Sequence, residues 1–313
     1  MPTPSRVVAV TGDSGAGKSH TAISFRLAKP PTAGVLLGVV VLLLIVDVLL
    51  GGPSRQPVTV VDASGLLAFF SFAMAGFVVA RRQPGNAIGW LLMGGAVFIL
   101  LSDTSGGYAA WNYRFHHGTL PGGLAAVFLQ LGWAPAIALF PLPVLLFPDG
   151  HVSSRRWRWV LWSYLALAAL WVSSELGVAA SGVIGQHISV DASGQLTLLD
   201  HPTGLAAVVY NVALGWTVVT TVYSLAWVAR LLSRFRRSSG ELRQQLKWFL
   251  GGASIAAIGF VGTETVANRP GTIGQVAGVV AFLALAALPV GLGVGILKYR
   301  LFDVDRIISR TLS

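Results

Sequence analysis

The chain has 313 residues, of which 54% are apolar and only 11% charged, and its mean hydropathy is +0.71, which excludes an ordinary soluble globular domain. Its net charge of +10 would point to nucleic acid in a soluble protein, but here the basic residues lie between apolar stretches, where anionic headgroups and topology explain them. Nucleic acid is therefore not an expected partner. The absence of cysteine excludes disulfides, thiol catalysis and cysteine-ligated metal.

Residues 1–32 form an N-terminal segment. Within it Gly12-Asp-Ser-Gly-Ala-Gly17-Lys18-Ser19 fits G-x-x-x-x-G-K-[ST], after Val7-Val-Ala-Val, which reads as a short strand, and before Thr21–Ala28, which reads as a helix. The stretch resembles the first turn of a P-loop kinase. That resemblance implies loop amides around Gly12 and Gly17 cradling phosphates, Lys18 reaching the terminal phosphates and Ser19 holding magnesium. ATP and magnesium are expected only if this match is real; otherwise no cofactor is. The remainder of such a fold is missing, because Pro30–Pro31 closes the segment and about 30 residues cannot build a parallel sheet. The alternatives are a remnant, a fusion scar or a misplaced start. No cleavable signal peptide is expected, since the first apolar run begins near Ala33 without a convincing cleavage site.

Eight apolar stretches follow, at Ala33–Leu50, Val60–Ala80, Ala87–Ser105, Leu124–Phe147, Trp159–Ala180, Leu205–Ala229, Trp248–Ala267 and Gln275–Leu297. A helix needs about 20 apolar residues to cross a bilayer. Numbering the connections alternately puts 19 of the 22 Lys and Arg on one side, leaving Arg55, Arg114 and Arg269 on the other. The positive-inside rule then places both termini in the cytoplasm. The expected fold is an all-α polytopic bundle of about eight spans over residues 33–297, in the inner membrane. Trp90, Trp157, Trp159, Trp227 and Trp248 fall near expected cytoplasmic span ends and Trp111 in an outer loop, as an interfacial belt would place them.

The connections are short. The longest outer loops are expected at Gly106–Gly123 and Gly182–Gly204, the second with turn signals around Leu196-Thr-Leu-Leu that suggest a small hairpin. The Arg230–Lys247 loop reads as helical extensions of its flanking spans, resting on headgroups. Gly34/Gly38, Gly274/Gly278 and Gly291/Gly295 carry the spacing of close helix contacts, and Pro135, Pro141, Pro143 and Pro289 should bend their spans. No segment offers a catalytic residue or a metal site.

Ionisable residues inside spans are functional candidates. Asp47, Asp62, Asp103, Glu175 and Glu264 all map to the outer third of the bilayer. They either line an outward vestibule that attracts cations or exchanges protons, or each reaches the outer headgroups by itself. The mid-span residues are mostly Leu, Val, Ala and Gly, without an internal repeat, which argues against a transporter.

Residues 298–313 read as an amphipathic cytoplasmic helix, with Leu301, Val304, Ile308 and Leu312 on one face and Lys298, Arg300, Arg306 and Arg310 supplying charge. The stretch from Leu288 to Leu312, containing Gly-Ile-Leu-Lys-Tyr-Arg-Leu-Phe-Asp-Val-Asp-Arg, resembles the juxtamembrane signature of multi-span actinobacterial sensor histidine kinases. So do Arg81-Arg-Gln-Pro-Gly-Asn-Ala-Ile-Gly-Trp90, Leu146-Phe-Pro-Asp-Gly150 with Arg155-Arg-Trp, and Arg243-Gln-Gln-Leu-Lys-Trp-Phe249. Ala87, where that family usually has proline, and His151, where a basic residue is common, depart from it. The resemblance implies a two-component sensor input whose signal leaves through Pro289, Tyr299, Arg300, Asp303, Asp305 and Arg306. The family's phosphoacceptor and ATP-binding domains do not follow Ser313, so a truncated kinase gene, or a membrane module served by a homodimer or a separate kinase subunit, is expected. A small transporter using the acidic vestibule is the alternative, and a nucleotide-dependent protein using the P-loop a third.

Overall fold

The computed structural model describes residues 30–51, 59–152, 154–184, 188–190, 196–197, 204–262 and 271–297. The chain forms α1 (Pro30–Gly51), α2 (Val60–Arg82), α3 (Ala87–His116), α4 (Gly123–Leu129), a 3-10 turn (Gln130–Gly132), α5 (Trp133–Leu139), α6 (Leu142–Leu146) and α7 (Arg155–Ile184). After α7 a two-residue hairpin pairs β1 (Ser189–Val190) antiparallel with β2 (Leu196–Thr197). Then come α8 (Gly204–Arg237), α9 (Gly240–Gly262) and α10 (Thr272–Leu285), followed by a final helix, α11, over 287–297.

Six segments are long and apolar enough to cross a membrane: Pro31–Leu50, Val60–Arg82, Ala87–His116, Gly123–Leu146, Arg155–Ile184 and Thr272–Leu297. The molecule is a multi-pass, helical membrane protein, and the bilayer is its partner. Two further helices, α8 of 34 residues and α9 of 23, have the length to cross, about 51 and 35 Å at a rise of ~1.5 Å per residue.

Two expectations are corrected in detail. The outer connection at Gly106–Gly123 is mostly not a loop. α3 continues to His116, whose helix is closed by His117 in the left-handed region at φ 53°. Hydropathy falls after Ser105, but helix needs only partners on one side, and α4 and the hairpin supply them. Trp227 is not interfacial: only 1% of its surface is exposed, in the main core. The fourth apolar stretch is interrupted as its prolines lead one to expect, into α4, the 3-10 turn, α5 and α6. Pro135, Pro141 and Pro143 each lack the N–H that would bond four residues back, so the ladder breaks there. Likewise Pro289 leaves the Leu285 carbonyl without its usual donor, and α10 ends at Leu285.

α3 is the hub. It packs on α1, α2 and every piece of the broken fourth segment. α10 bridges α2 and α9, while α7 and α8 pair, α7 reaching α4 and α5 and α8 reaching α6 and α9. Helix association in lipid depends on close backbone approach rather than hydrophobicity, and glycines provide it at several crossings. A Cβ on Gly76 would stand 2.7 Å from the Gly89 carbonyl oxygen, and one on Gly89 2.6 Å from the Ala80 amide. Where α9 crosses α11, a Cβ on Gly291 would meet the Trp248 carbonyl at 2.6 Å. Of the glycine spacings noted in the sequence, Gly291/Gly295 makes such approaches, Gly278 touches only the Val61 side chain, and Gly34 and Gly38 have nothing within 4 Å.

Replacing Gly291 with Leu should therefore lower stability by about 1–3 kcal/mol, the usual cost of overpacking, in detergent-driven unfolding from mixed micelles. Gly38→Leu, on the open side of α1, should stay within about 0.5 kcal/mol of wild type.

Candidate functional site

A helix broken inside a bilayer leaves carbonyls that water cannot reach, and each costs energy unless a neighbour donates to it. The segment from Pro121 to Pro148 accepts hydrogen bonds at six of its carbonyls from side chains outside itself. From α3, Tyr108 Oη donates to the Pro121 carbonyl at 2.6 Å and the Ser102 hydroxyl donates to that of Gln130. From α7, Tyr164 Oη donates to Ala138 O at 2.8 Å. From α8, Arg230 Nη1 donates to Leu145 O at 2.8 Å and Arg234 Nη1 to Phe147 O at 2.9 Å. Asn86, the N-cap of α3, donates through Nδ2 to Pro148 O at 3.1 Å. Six carbonyls are thus held by three helices.

The last three of these bonds build a junction at the basic end of the bundle. Asn86 faces two ways there: its Oδ1 accepts from the Ile88 amide at 3.1 Å, capping α3, while Nδ2 holds the 146–150 turn. Gly150 closes that turn at φ +76°, where a Cβ would overlap Asn86 and lie 2.7 Å from the Ala87 amide. Only glycine meets both demands. Arg234 also pairs with Asp149 at 3.6 Å, and the Arg230 guanidinium lies 4.7 Å from the Trp157 ring centroid.

The final helix rests on this junction. The Phe147 ring stacks on Phe249 of α9 at 4.7 Å. A Cβ on Gly295 of α11 would sit 3.0 Å from Gln245 O and 3.1 Å from the Phe147 ring. Gln83 Nε2 donates to Ile296 O at 3.5 Å. Of the four stretches singled out in the sequence, Arg81–Trp90, Leu146–Gly150, Arg243–Phe249 and the described part of Leu288–Leu312, residues 288–297, therefore meet in one place; residues 298–312 lie outside the described residues. The residues that bind them there, Asn86, Phe147, Asp149, Arg230 and Arg234, were not picked out as site residues. The available signal was two arginines one turn apart at the end of a span, next in order to a proline-rich one.

At the opposite end the acids divide. Asp47 of α1, Asp62 of α2 and Asp103 of α3 lie close enough for their charges to act on one another. Counted from Ala87 and Arg82 at ~1.5 Å per residue, Asp103 and Asp62 lie about 24 and 30 Å from the basic end, near the far boundary of a core about 30 Å thick. No described cation is within ion-pair distance of the three, and among the described residues no His, Asp and Glu group converges as a metal site would. Asp62 also has a local task. With Thr59 it forms a capping box, accepting from the Thr59 amide at 2.9 Å and hydroxyl at 2.7 Å. Glu175 is not with them: on α7 it accepts from the Trp171 side chain one turn earlier, and Trp171 stacks on Trp216 of α8 at 4.8 Å. Glu264, the loop residues Gly12, Gly17, Lys18 and Ser19, and the tail residues Tyr299, Arg300, Asp303, Asp305 and Arg306 lie outside the described residues. Pro289 lies within α11.

The site and fold define a multi-pass membrane protein with a polar junction at its basic end. Compared with known proteins, the chain matches no family model, no curated protein and no solved structure.

Asn86→Ala removes a cap and strands the Pro148 carbonyl, so it should cost about 2–3 kcal/mol in unfolding from mixed micelles. Gly150→Ala should cost at least as much, because it adds strain at positive φ to the overlap with Asn86.

Proposed function

We propose that the chain is the membrane input of a two-component type of sensor. In this reading eight spans set it in the inner membrane with both termini in the cytoplasm. A state of the membrane or of the outer face shifts the bundle. The change leaves through α11 and the 298–313 helix to a histidine kinase carried on a partner subunit or on a further length of chain.

The observation that carries the proposal is the convergence at the basic end. The described parts of four stretches far apart in sequence, those that resemble sensor-kinase input regions, pack into one junction. α11 leaves the bundle across it, touching Phe147 and Gln245 through Gly295 and bonded by Gln83 at Ile296. A packed junction of this kind has discrete arrangements rather than a continuum. A movement of α2, of α9 or of the Phe147 turn reaches α11 directly, and one of α8 reaches it through Arg234 on Phe147. Signalling, rather than chemistry at this end, suits residues whose polar groups are consumed by holding backbone.

The test joins the full chain at Ser313 to the dimerisation and catalytic core of a histidine kinase and reconstitutes the product in liposomes. Autophosphorylation should change by about fivefold or more, the low end of measured coupling between sites, when Asn86→Ala or Gly295→Leu disturbs the junction. Rates indifferent to both substitutions in folded protein would contradict the proposal.

One observation favours a second reading, a small cation or proton transporter: the gathering of Asp47, Asp62 and Asp103 without a described counter-charge. Its signature would be flux into protein-loaded liposomes that Asp103→Asn abolishes.

A further inference from the structure

The end of α8 carries more positive charge than the junction consumes. Arg230 and Arg234 each give a guanidinium N–H to a carbonyl of the broken segment. Arg236 and Arg237 have no described partner. These arginines flank two adjoining open, shallow clefts on the surface of the helix. One, of about 360 Å³, is lined by Ala229, Leu232, Ser233, Arg236 and Arg237. Its neighbour, of about 350 Å³, lies along Arg230, Ser233, Arg234, Arg237, Ser238 and Leu242. The acids facing this region are Asp149, on Arg234 at 3.6 Å, and Glu241 in the first turn of α9, which accepts from Gln245 at 3.2 Å. Four guanidinium groups therefore face two carboxylates, both already engaged.

The helix surface leading to the clefts is apolar. Val218, Val222, Leu225, Ala229 and Leu232 recur at steps of four and three residues, which keeps them on one face of a helix. Arg236 follows in the same register. Along this line Val218 is 66% exposed, Val222 58%, Leu225 64% and Leu232 41%. A hydrocarbon lane thus ends on a cationic cleft, within a single helix. A soluble phosphate would use the arginines and ignore the lane. An anionic phospholipid would use both, laying an acyl chain along Val218–Leu232 and its phosphate against Arg236 and Arg237.

We infer that the end of α8 is a binding site for an anionic phospholipid, whose headgroup phosphate is held by Arg236 and Arg237 beside Ser233. Basic pockets at the ends of membrane helices recognise such headgroups, at about fivefold in affinity for each Arg near the surface. The site shares its helix turns with Arg230 and Arg234, so a bound lipid stabilises the turn of α8 that clamps the junction. The inference requires only that the chain spans a bilayer, and it stands or falls separately from the sensor reading because its readout is lipid retention.

The test is native mass spectrometry of the full chain, released from detergent in the presence of phosphatidylglycerol or phosphatidylcholine. Retained phosphatidylglycerol is expected, and the Arg236→Gln, Arg237→Gln double variant should bind it about 25-fold more weakly. Arg155→Gln with Arg156→Gln removes the same charge at the exposed start of α7 and should leave retention unchanged. Equal loss in that control would mean diffuse attraction and overturn the site. Retention of phosphatidylcholine as strong as phosphatidylglycerol would also overturn it. So would displacement of the lipid by inorganic phosphate, which would make the ligand a free anion.

Discussion

The structure depends on how it satisfies one broken helix. Three prolines prevent the segment from Gly123 to Leu146 from forming a continuous helix, and bilayer hydrocarbon offers no water to its carbonyls. Side chains of three helices bond its carbonyls. Ser102 and Tyr108 tie the segment to α3, Tyr164 to α7, and Arg230 and Arg234 to α8. The α7–α8 pair reaches the remaining helices largely through these pieces. A segment that cannot satisfy itself has become the part that joins the bundle.

The two ends of the molecule are consequently different in kind. At the basic end the charges do structural work: one arginine pairs with a carboxylate, two bond carbonyls, and close glycine contacts press α9 against α11. At the acidic end three carboxylates come together with no described cation between them, and one of them caps a helix. Like charges held together resist packing, whereas bonded charges fix it. α2 and α3 connect the two ends, running from the acids to the junction.

Much of this was legible in the sequence where the property is local. Span positions follow from runs of apolar residues, and the breaks near Pro135, Pro141, Pro143 and Pro289 from a missing N–H. The depth of the acids is legible too, because it needs only a count of residues along each helix. Their division is not: whether Asp103 meets Asp47 or Glu175 depends on which helices are neighbours and how each is rotated. The junction was hidden for the same reason. Ser102 and Gln130 are 28 residues apart, and Arg234 and Phe147 are 87 apart, so Arg230 and Arg234 read simply as charges setting topology. The extent of α3 was missed because hydropathy marks the bilayer, not the helix, and this helix outruns the apolar run that begins it.

The most direct measurement of the central claim is the unfolding free energy, in mixed micelles, of Arg230→Met compared with Arg155→Met. Both remove one positive charge at the same end of the bundle, but only Arg230 holds a carbonyl of the broken segment. The account predicts a loss of about 1.5–3 kcal/mol for Arg230→Met, the range for a hydrogen bond from a charged group, and a change within about 0.5 kcal/mol for Arg155→Met. Equal effects from the two would show that the arginines of α8 act as general surface charge, and that the broken segment does not depend on them.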